Sequence, residues 1–290
     1  MSTTAVLRRF NRTYTQRIGA LEESFLGTGR PLAVSRLLFE IGASDGATVR
    51  DLRERLDLDS GHLSRMLRRL ERDGLVETLP DPADQRRRVA RLTEAGRAAR
   101  QELDDRSEDL AARIVAPLTD RQRARLTEAL ATADLLVRAA TIRIREVAPE
   151  DPAGRDALRR YLDEIDARFA HGYAASGPVA SEPGSTYVLA TSDGEPVAYG
   201  GIRPAPGGAT EIKRMWVHQD WRGAGLGSRM LRHLEALAAE RGATRVVLDT
   251  NEVLAEAIAM YERSGYRSVP RYEGSDPHAT HFFEKDLTAR

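Results

Sequence analysis

The chain has 290 residues, formal charges that cancel and a hydrophobic content of 41%, which is enough apolar material for the cores of two ordinary domains. It contains no cysteine, which excludes disulfides, thiolate metal sites and a cysteine nucleophile; with only six scattered histidines left, we expect no metal site. No apolar run approaches the roughly 18 residues of a membrane span, and residues 1–20 lack the apolar core of a signal peptide. The composition therefore predicts a globular, cytoplasmic protein without a membrane contact.

The pattern of apolar residues changes near residues 139–141. Residues 5–140 read as successive helices with breaks at glycine-containing turns. From Ile142 onward, short β-rich runs alternate with amphipathic helices. We therefore expect a multidomain protein, with a mainly α domain over residues 1–140 and an α/β (α+β) domain over residues 141–290.

Two short helices separated by a turn lie in the first half, the second of them beginning at Ser60. In this helix, Leu63, Met66, Leu67 and Leu70 fall at i, i+3, i+4 and i+7, so we expect them to form one buried stripe. The opposite face is cationic and suits entry into a major groove, although an ordinary solvated face is the alternative. The candidate DNA-binding residues of this helix are Ser60, Gly61, His62, Ser64, Arg65, Arg68 and Arg69.

A β-hairpin is predicted directly after this helix. Residues 74–78 and 89–92 read as strands, and the segment between them ends in three consecutive arginines, Arg86, Arg87 and Arg88. Arginine at the tip of such a wing suits the narrow minor groove, whose negative potential attracts it. These three arginines are therefore further candidate DNA contacts.

The order helix, turn, helix and basic wing resembles the MarR family of winged helix-turn-helix regulators. In that family the wing commonly reads D-x-R before L-T-x-x-G, and here Asp84-Gln85-Arg86 precedes Leu92-Thr93-Glu94-Ala95-Gly96. The resemblance covers about residues 5–140. It implies binding to double-stranded DNA as a homodimer, held by the N- and C-terminal helices of this half. Packing of these long helices on the second domain is the alternative.

The second half contains a glycine-rich turn, Arg222-Gly223-Ala224-Gly225-Leu226-Gly227, between a strand-like and a helix-like run. Such a turn is a potential phosphate cradle, because backbone N–H groups and the positive end of the helix dipole converge there. A P-loop is excluded, since no Lys followed by Ser or Thr comes after the last glycine. A dinucleotide fingerprint would need a third glycine at Met230, although Asp249 imitates its ribose-binding acid.

The turn also satisfies the pattern R/Q-x-x-G-x-G/A, and its surroundings supply two further motifs. The run EIKRMWV precedes it, VVLDTN follows at residues 246–251, and residues 257–266 read A-x-x-x-Y-x-x-x-G-Y. In this order and spacing, the motifs resemble the GNAT superfamily of N-acetyltransferases over about residues 142–287. The resemblance implies a GNAT fold with a mixed, splayed central sheet. It also implies acetyl-CoA as acetyl donor and a primary amine, on a small molecule or a protein lysine, as acceptor.

The same resemblance assigns roles to individual residues. Tyr261 matches the tyrosine that protonates the departing thiolate, with a packed aromatic as the alternative. Glu211 resembles the position of the base in some members, with a solvated strand carboxylate as the alternative. One amide of the strand before the turn is expected to polarise the thioester carbonyl. The candidate cofactor-binding residues are Met215, Trp216, Val217, Arg222, Gly223, Ala224, Gly225, Leu226, Gly227, Ser228 and Asn251.

The acceptor side has weaker signals. A Gly-, Ser- and Pro-containing loop from His171 to Tyr187 is a candidate cover for the acceptor site, and Arg271, Tyr272, His278 and His281 border the last strands. For each histidine, an ordinary surface or hydrogen-bonding role is the alternative.

Three functions stay open. The protein binds DNA and acetylates an amine, or it is a regulator that senses acetyl-CoA or another ligand without turnover, or it is an enzyme whose helical half serves dimerisation only. The intact Tyr261 and glycine turn favour turnover over sensing. The exposed arginines of the second helix and the wing favour DNA binding.

Overall fold

The structure of the protein is a computed structural model. It describes residues 2–43, 46–81, 84–169, 172–173, 184–192 and 194–288. The chain divides into two compact units, Met1–Ala124 and Arg125–Arg290. One continuous helix, Asp120–Thr141, crosses this division. The domain boundary expected near residue 140 therefore stays a prediction.

The first unit is mainly helical and contains a small antiparallel sheet. Three strands form this sheet in the order β1-β3-β2. The predicted mainly α winged helix-turn-helix architecture is confirmed. Its elements are α1 (Thr3–Arg17), α2 (Leu32–Ile41), β1 (Ala47–Thr48), α3 (Val49–Leu56), α4 (Ser60–Arg72), β2 (Val76–Pro80), β3 (Arg88–Leu92) and α5 (Glu94–Val115), before α6 (Asp120–Thr141).

Helix α4 is held by its apolar face. Asp59 starts the helix, because its carboxylate accepts a hydrogen bond of 2.8 Å from the backbone N–H of His62. The predicted stripe of Leu63, Met66, Leu67 and Leu70 is buried and packs in one core with residues of α2 and α3. This burial fixes α4 while its cationic face stays in solvent.

The L-T-x-x-G motif is the joint between the wing and α5. The Thr93 hydroxyl accepts a hydrogen bond from the N–H of Gly96 (3.0 Å) and donates one to the carbonyl of Gly74 (2.6 Å). Gly96 lies so close to the backbone just before β2 that an added Cβ would be 1.9 Å from the carbonyl oxygen of Leu75. Only glycine fits at this position.

The second unit is built on a seven-stranded mixed sheet in the order β4-β5-β6-β7-β8-β10-β9. Its elements are β4 (Ile144–Val147), α7 (Pro152–Arg168), β5 (Thr186–Ser192), β6 (Glu195–Pro204), β7 (Thr210–Val217), α8 (Leu226–Glu240), β8 (Arg245–Thr250), α9 (Ala255–Arg263), β9 (Arg267–Ser268) and β10 (His281–Asp286). The predicted α/β GNAT architecture with a mixed sheet is confirmed.

The two faces of this sheet are covered by different helices. Along β5, Val188 and Ala190 face a core that contains α8, whereas Tyr187 and Leu189 face α7. Successive side chains of a strand point to opposite faces, so both faces are buried and the strand is apolar throughout.

Strands β7 and β8 form the one parallel pair among the described strands, and they pair at only two register positions, Thr210↔Val246 and Glu211↔Val247. Beyond these positions β7 runs along β6 alone, and β8 runs along β10. The sheet is therefore splayed between β7 and β8, as expected.

A bulge marks the start of the splayed part of β7. One residue of β6, Gly200, lies opposite two residues of β7, Arg214 and Met215. Arg214 has a φ of 55°, which is rare for a residue with a side chain. The extra residue changes the direction in which the following side chains of β7 point.

We expect Gly96→Ala to destabilise the first unit, because the new methyl group meets a backbone carbonyl that cannot move aside. Overpacking of this kind typically costs about 1–3 kcal/mol. Thermal unfolding followed by circular dichroism measures the change. The control is Ala95→Ser, which adds one atom at a neighbouring exposed position; equal stability of the two variants would contradict the assignment of Gly96.

Candidate functional site

The glycine-rich turn connects β7 to α8 and leaves the N-terminus of α8 open. Gly223 and Gly225 have φ values of 79° and 80°, a left-handed conformation that favours glycine. A Cβ added at either position meets no described atom within 4 Å, whereas a Cβ at Gly227 would lie 3.2 Å from Sδ of Met260. The first two glycines therefore keep the N–H groups of α8 accessible, and the third allows α8 and α9 to pack closely.

A cleft runs from this turn along the free edge of β7. Leu226 is buried in the core and Ala224 packs against it, so these two residues offer only their backbone to the cleft. The predicted cofactor-binding residues that line the cleft are Met215, Trp216, Val217, Arg222, Gly223, Gly225, Gly227 and Ser228.

Glu164 of α7 organises one wall of the cleft. Its carboxylate accepts a hydrogen bond of 3.0 Å from Nε1 of Trp216 and forms an ion pair with Arg222. Partial burial opposes its ionisation, but the hydrogen bonds from Arg222 and Trp216 outweigh this effect and lower the pKa of Glu164. Sequence reasoning missed Glu164, because nothing local relates a helical glutamate to a turn 58 residues away.

A second cavity adjoins the cleft on the side of β8. Both are lined by Tyr161, Ile165, Met215, Leu254 and Ala257. The second cavity is bordered by the ends of β7 and β8 and by residues 274–279. We call this second cavity the acceptor cavity. A molecule in the cleft and a molecule in the acceptor cavity therefore meet beside Met215.

Tyr261 lies in α9 and lines the acceptor cavity. Its ring is buried between the rings of Tyr266 and Phe283, at centroid distances of 5.8 and 5.9 Å. Its hydroxyl has no hydrogen-bond partner in the part of the chain that the structure describes. Burial raises the pKa of Tyr261, and the charge of Asp249 acts in the same direction. The phenol therefore carries its proton at neutral pH.

Glu211 lies beneath this cavity and does not line it. It is 2% exposed, and its oxygens accept hydrogen bonds from Tyr272 (2.8 Å) and Arg203 (2.5 Å), with Nζ of Lys213 at 3.3 Å. Both oxygens are thus engaged. This arrangement favours the positioning of Arg203 and Tyr272, and the role of Glu211 as base stays a prediction.

Asn251 lines the acceptor cavity rather than the cleft. Its amide donates a hydrogen bond of 2.5 Å to the carbonyl of His278, and its carbonyl accepts one of 3.1 Å from the N–H of Val253. The side chain thus anchors the loop that follows β9. Its expected contact with the cofactor stays a prediction.

The acceptor-side residues are only partly brought together. His278 lines the cavity, with its ring 5.3 Å from that of Tyr173, whereas Arg271 and His281 do not line it. Of the loop expected to cover the acceptor site, residues 171 and 174–183 lie outside the described residues.

The candidate DNA-binding residues fall into two groups. Ser60, Gly61, Arg65 and Arg68 are exposed, and His62 and Ser64 are half-buried beside them, on one face of α4. Arg69 instead donates a hydrogen bond of 3.1 Å to the carbonyl of Gly29, so it connects α4 to the loop before α2.

The three wing arginines also differ from one another. Arg87 forms an ion pair of 3.2 Å with Asp84, and Arg88 donates a hydrogen bond of 2.7 Å to the carbonyl of Thr78. The exposed guanidinium of Arg86 has no partner among the residues described. Arg86 is therefore the wing arginine with the most freedom to contact another molecule.

Within the described ranges, no helix combines the length and the hydropathy that crossing a bilayer requires. Within the same ranges, no three histidine or carboxylate side chains gather as a metal site requires.

The fold thus combines a winged helix-turn-helix with an α/β unit whose splayed mixed sheet borders a cleft and an adjoining cavity. Comparison with protein families agrees: residues 144–266 match the acetyltransferase (GNAT) family, and residues 28–87 match the MarR family. The chain thus joins a MarR-family segment to a GNAT-family segment, as its motifs predict. Enzymes of the GNAT family use acetyl-CoA or another acyl-CoA as donor.

Individual relatives match one half each. The "Uncharacterized N-acetyltransferase YjgM" of Escherichia coli K12 is 29% identical over an alignment of 156 positions, which covers 47% of this chain and 93% of that protein. The "IAA acetyltransferase" of Azospirillum brasilense is 29% identical over an alignment of 150 positions, which covers 49% of this chain and 97% of that protein. The crystal structure of apo MarR from E. coli is 27% identical with a TM-score of 0.39, and covers 45% of this chain and 95% of that one.

Proposed function

We propose that the protein is a DNA-binding transcription regulator and an acetyl-CoA-dependent N-acetyltransferase that acts on a primary amine. The observation that carries the enzymatic part is the open glycine turn at the end of a free strand edge, beside a cavity that contains the protonated Tyr261. Incubation with acetyl-CoA and a panel of amines and peptides, with free thiol as the readout, tests it. Binding of acetyl-CoA without thiol release would favour a regulator that senses the cofactor.

The residues of the cleft fit a CoA thioester. The N–H groups of residues 223–228 suit the pyrophosphate, because they lie at a helix N-terminus that no described side chain caps. The free edge of Met215, Trp216 and Val217 suits an extended amide-containing arm, which pairs with it as an added strand would. Bound acetyl-CoA supplies the acetyl group. We assign to a backbone N–H of this edge the hydrogen bond to the thioester carbonyl oxygen.

Tyr261 is the residue that we assign to protonation of the departing sulfur. The amine nitrogen bonds to the acetyl carbon while the carbon–sulfur bond breaks, and the thiolate needs a proton. A phenol that burial keeps protonated supplies it. Glu211 is the base that we propose for the amine proton. Because Glu211 does not line the cavity, it would act through water.

Double-stranded DNA is the partner that we propose for the first unit. Arg65 and Arg68 suit the major groove and Arg86 the minor groove, because all three are exposed. We further propose that the protein is a homodimer. Helix α1 has no buried residue, and its Phe10 and Tyr14, stacked at 5.6 Å, are 46% and 49% exposed. Such an apolar surface needs a partner, and a dimer presents two α4 helices to a palindrome.

Gly225→Glu is expected to abolish acetyl-CoA binding, because it places a side chain and a negative charge where the pyrophosphate would lie. Isothermal titration calorimetry measures the affinity. The matched control is Gly242→Glu, since Gly242 has a similar φ of 86° with open space around it but follows the other end of α8. A Gly225→Glu variant that binds as tightly as the wild type would refute the cradle.

Tyr261→Phe is expected to leave acetyl-CoA affinity nearly unchanged and to lower kcat, since the hydroxyl acts on the leaving sulfur. General acid assistance is typically worth about 100- to 10,000-fold. Steady-state kinetics with the best acceptor measure the loss. Tyr266→Phe is the control, because its ring lies 5.8 Å from that of Tyr261 and does not line the cavity. Full kcat in the Tyr261→Phe variant removes this residue from the mechanism.

The two basic elements of the first unit are expected to respond differently to substitution. Arg65→Ala or Arg68→Ala should weaken binding and relax sequence choice, by about 1–3 kcal/mol for each bidentate base contact. Arg86→Ala should weaken binding to all sequences and flatten the salt dependence, because fewer counterions are released.

Fluorescence anisotropy across a salt series, with the gene's own upstream DNA and a scrambled duplex, measures both effects. Arg121→Ala is the control, since this exposed arginine at the start of α6 is outside both elements. Equal binding of both duplexes by the wild type, at low salt only, would show that the first unit does not read sequence.

A further inference from the structure

Most of the charged side chains that line the acceptor cavity form an ion pair with a neighbouring residue. Arg203 pairs with Glu211 at 2.5 Å, and Lys213 pairs with Asp249 at 3.1 Å. Two lining residues remain without a partner of opposite charge among the described residues: the cation Arg214 and the carboxylate Asp276. The cavity therefore presents one free charge of each sign.

Arg214 reaches the cavity because of the bulge in β7. Its φ of 55° sets it apart from the neighbouring strand residues, and the side chain is half-buried. Residues with a sparsely populated backbone conformation are more frequent at ligand-binding sites than elsewhere. The charge of Arg214 also acts on Tyr173, whose pKa is raised by burial and by Asp276 and lowered by Arg214. Arg214 and Asp276 thus act on the same phenol.

Asp276 is held in place by neutral donors only. Its carboxylate accepts hydrogen bonds from the hydroxyl of Tyr173 (2.6 Å) and from the N–H of His278 (2.8 Å). Neutral donors orient the carboxylate and leave its negative charge uncompensated. An ammonium group entering the cavity would be attracted by this charge.

We propose that the acceptor is an amino-acid-like compound, a small molecule with a primary amine and a carboxylate. Its carboxylate pairs with Arg214, and Asp276 attracts its ammonium group into the cavity. A guanidinium recognises a carboxylate through two parallel N–H···O bonds, which a simple amine cannot form. The aromatic wall of Tyr161, Phe169 and Tyr173 accommodates an apolar side chain. The inference rests on the proposed N-acetyltransferase function and narrows its acceptor from amines in general.

Matched pairs of acceptors test the role of the carboxylate. Phenylalanine is compared with phenethylamine, leucine with isoamylamine, and both pairs with a lysine-containing peptide, by thiol release. We expect kcat/KM for the amino acid to exceed that for its decarboxylated partner by at least about tenfold, because the partner leaves Arg214 unpaired. An equal or higher value for the simple amines or the peptide overturns the proposal.

Variants of Arg214 locate the effect. Arg214→Gln should raise KM for the amino acids at nearly constant kcat, so that kcat/KM becomes similar for the two members of each pair. Arg214→Lys should restore part of the preference for the amino acid. Arg267→Gln, a 73% exposed arginine of β9, should change nothing. If Arg214→Gln alters both members of a pair equally, Arg214 does not recognise the carboxylate.

A binding measurement separates this proposal from the proposed function. N-acetylphenylalanine and N-acetylphenethylamine are titrated, each in the presence of CoA, and followed by protein NMR. Tighter binding of the carboxylated product, lost in Arg214→Gln, supports the carboxylate site even when no acceptor is turned over. Equal binding, or no binding of either product, overturns it. Failure of acetyl-CoA itself to bind in calorimetry counts against the proposed function instead.

Discussion

The separation of β7 from β8 is the constraint on which the second unit depends. Two neighbouring strands that pair at only two register positions leave the rest of one edge of β7 without backbone partners. An unpaired strand edge exposes backbone N–H and C=O groups that can bind another strand, and proteins normally cover such edges. Here the free edge ends at a glycine turn and borders both cavities, so a single departure from regular pairing creates the cleft, the acceptor cavity and the point where they meet.

The bulge in β7 determines which side chains of this strand point into the opening. Because Arg214 and Met215 together face Gly200, the alternation of side chains along β7 shifts by one residue. Trp216 consequently points towards α7, where Glu164 holds its indole, and Arg214 points into the acceptor cavity. Glu164 also binds Arg222, so the wall of the cleft and the entry to the glycine turn are fixed by one carboxylate.

Local patterns of the sequence predicted the parts of the fold that depend on local physics. The 3.6-residue period of Leu63, Met66, Leu67 and Leu70 identified the buried face of α4, since helix geometry alone places these side chains together. The spacing of Gly223 and Gly225 identified a glycine-rich turn between a strand and a helix, where both glycines adopt the left-handed conformation that glycine favours. Both features involve a few consecutive residues and need no knowledge of distant contacts.

Contacts between distant segments could not be predicted in this way. The partners of Glu211 come from β6, β7 and the loop after β9, so a residue that resembles an exposed strand carboxylate is buried in a network of ion pairs. Asp276 and Tyr173 are 103 residues apart, and neither lies in a recognisable motif. The φ of Arg214 depends on the register of β6 against β7, which sequence periodicity does not report.

The pairing of charges in the acceptor cavity also determines what kind of selectivity it can have. Burying a charge without a partner is costly, so Arg203 with Glu211 and Lys213 with Asp249 are primarily a framework that keeps the splayed strands and the loop after β9 in position. A ligand that broke either pair would leave a buried charge uncompensated. Arg214 and Asp276 lack this restriction, because neither has an oppositely charged partner among the described residues. In the proposed acceptor site, electrostatic selectivity therefore rests on these two side chains, because a ligand can pair with them without breaking an existing ion pair.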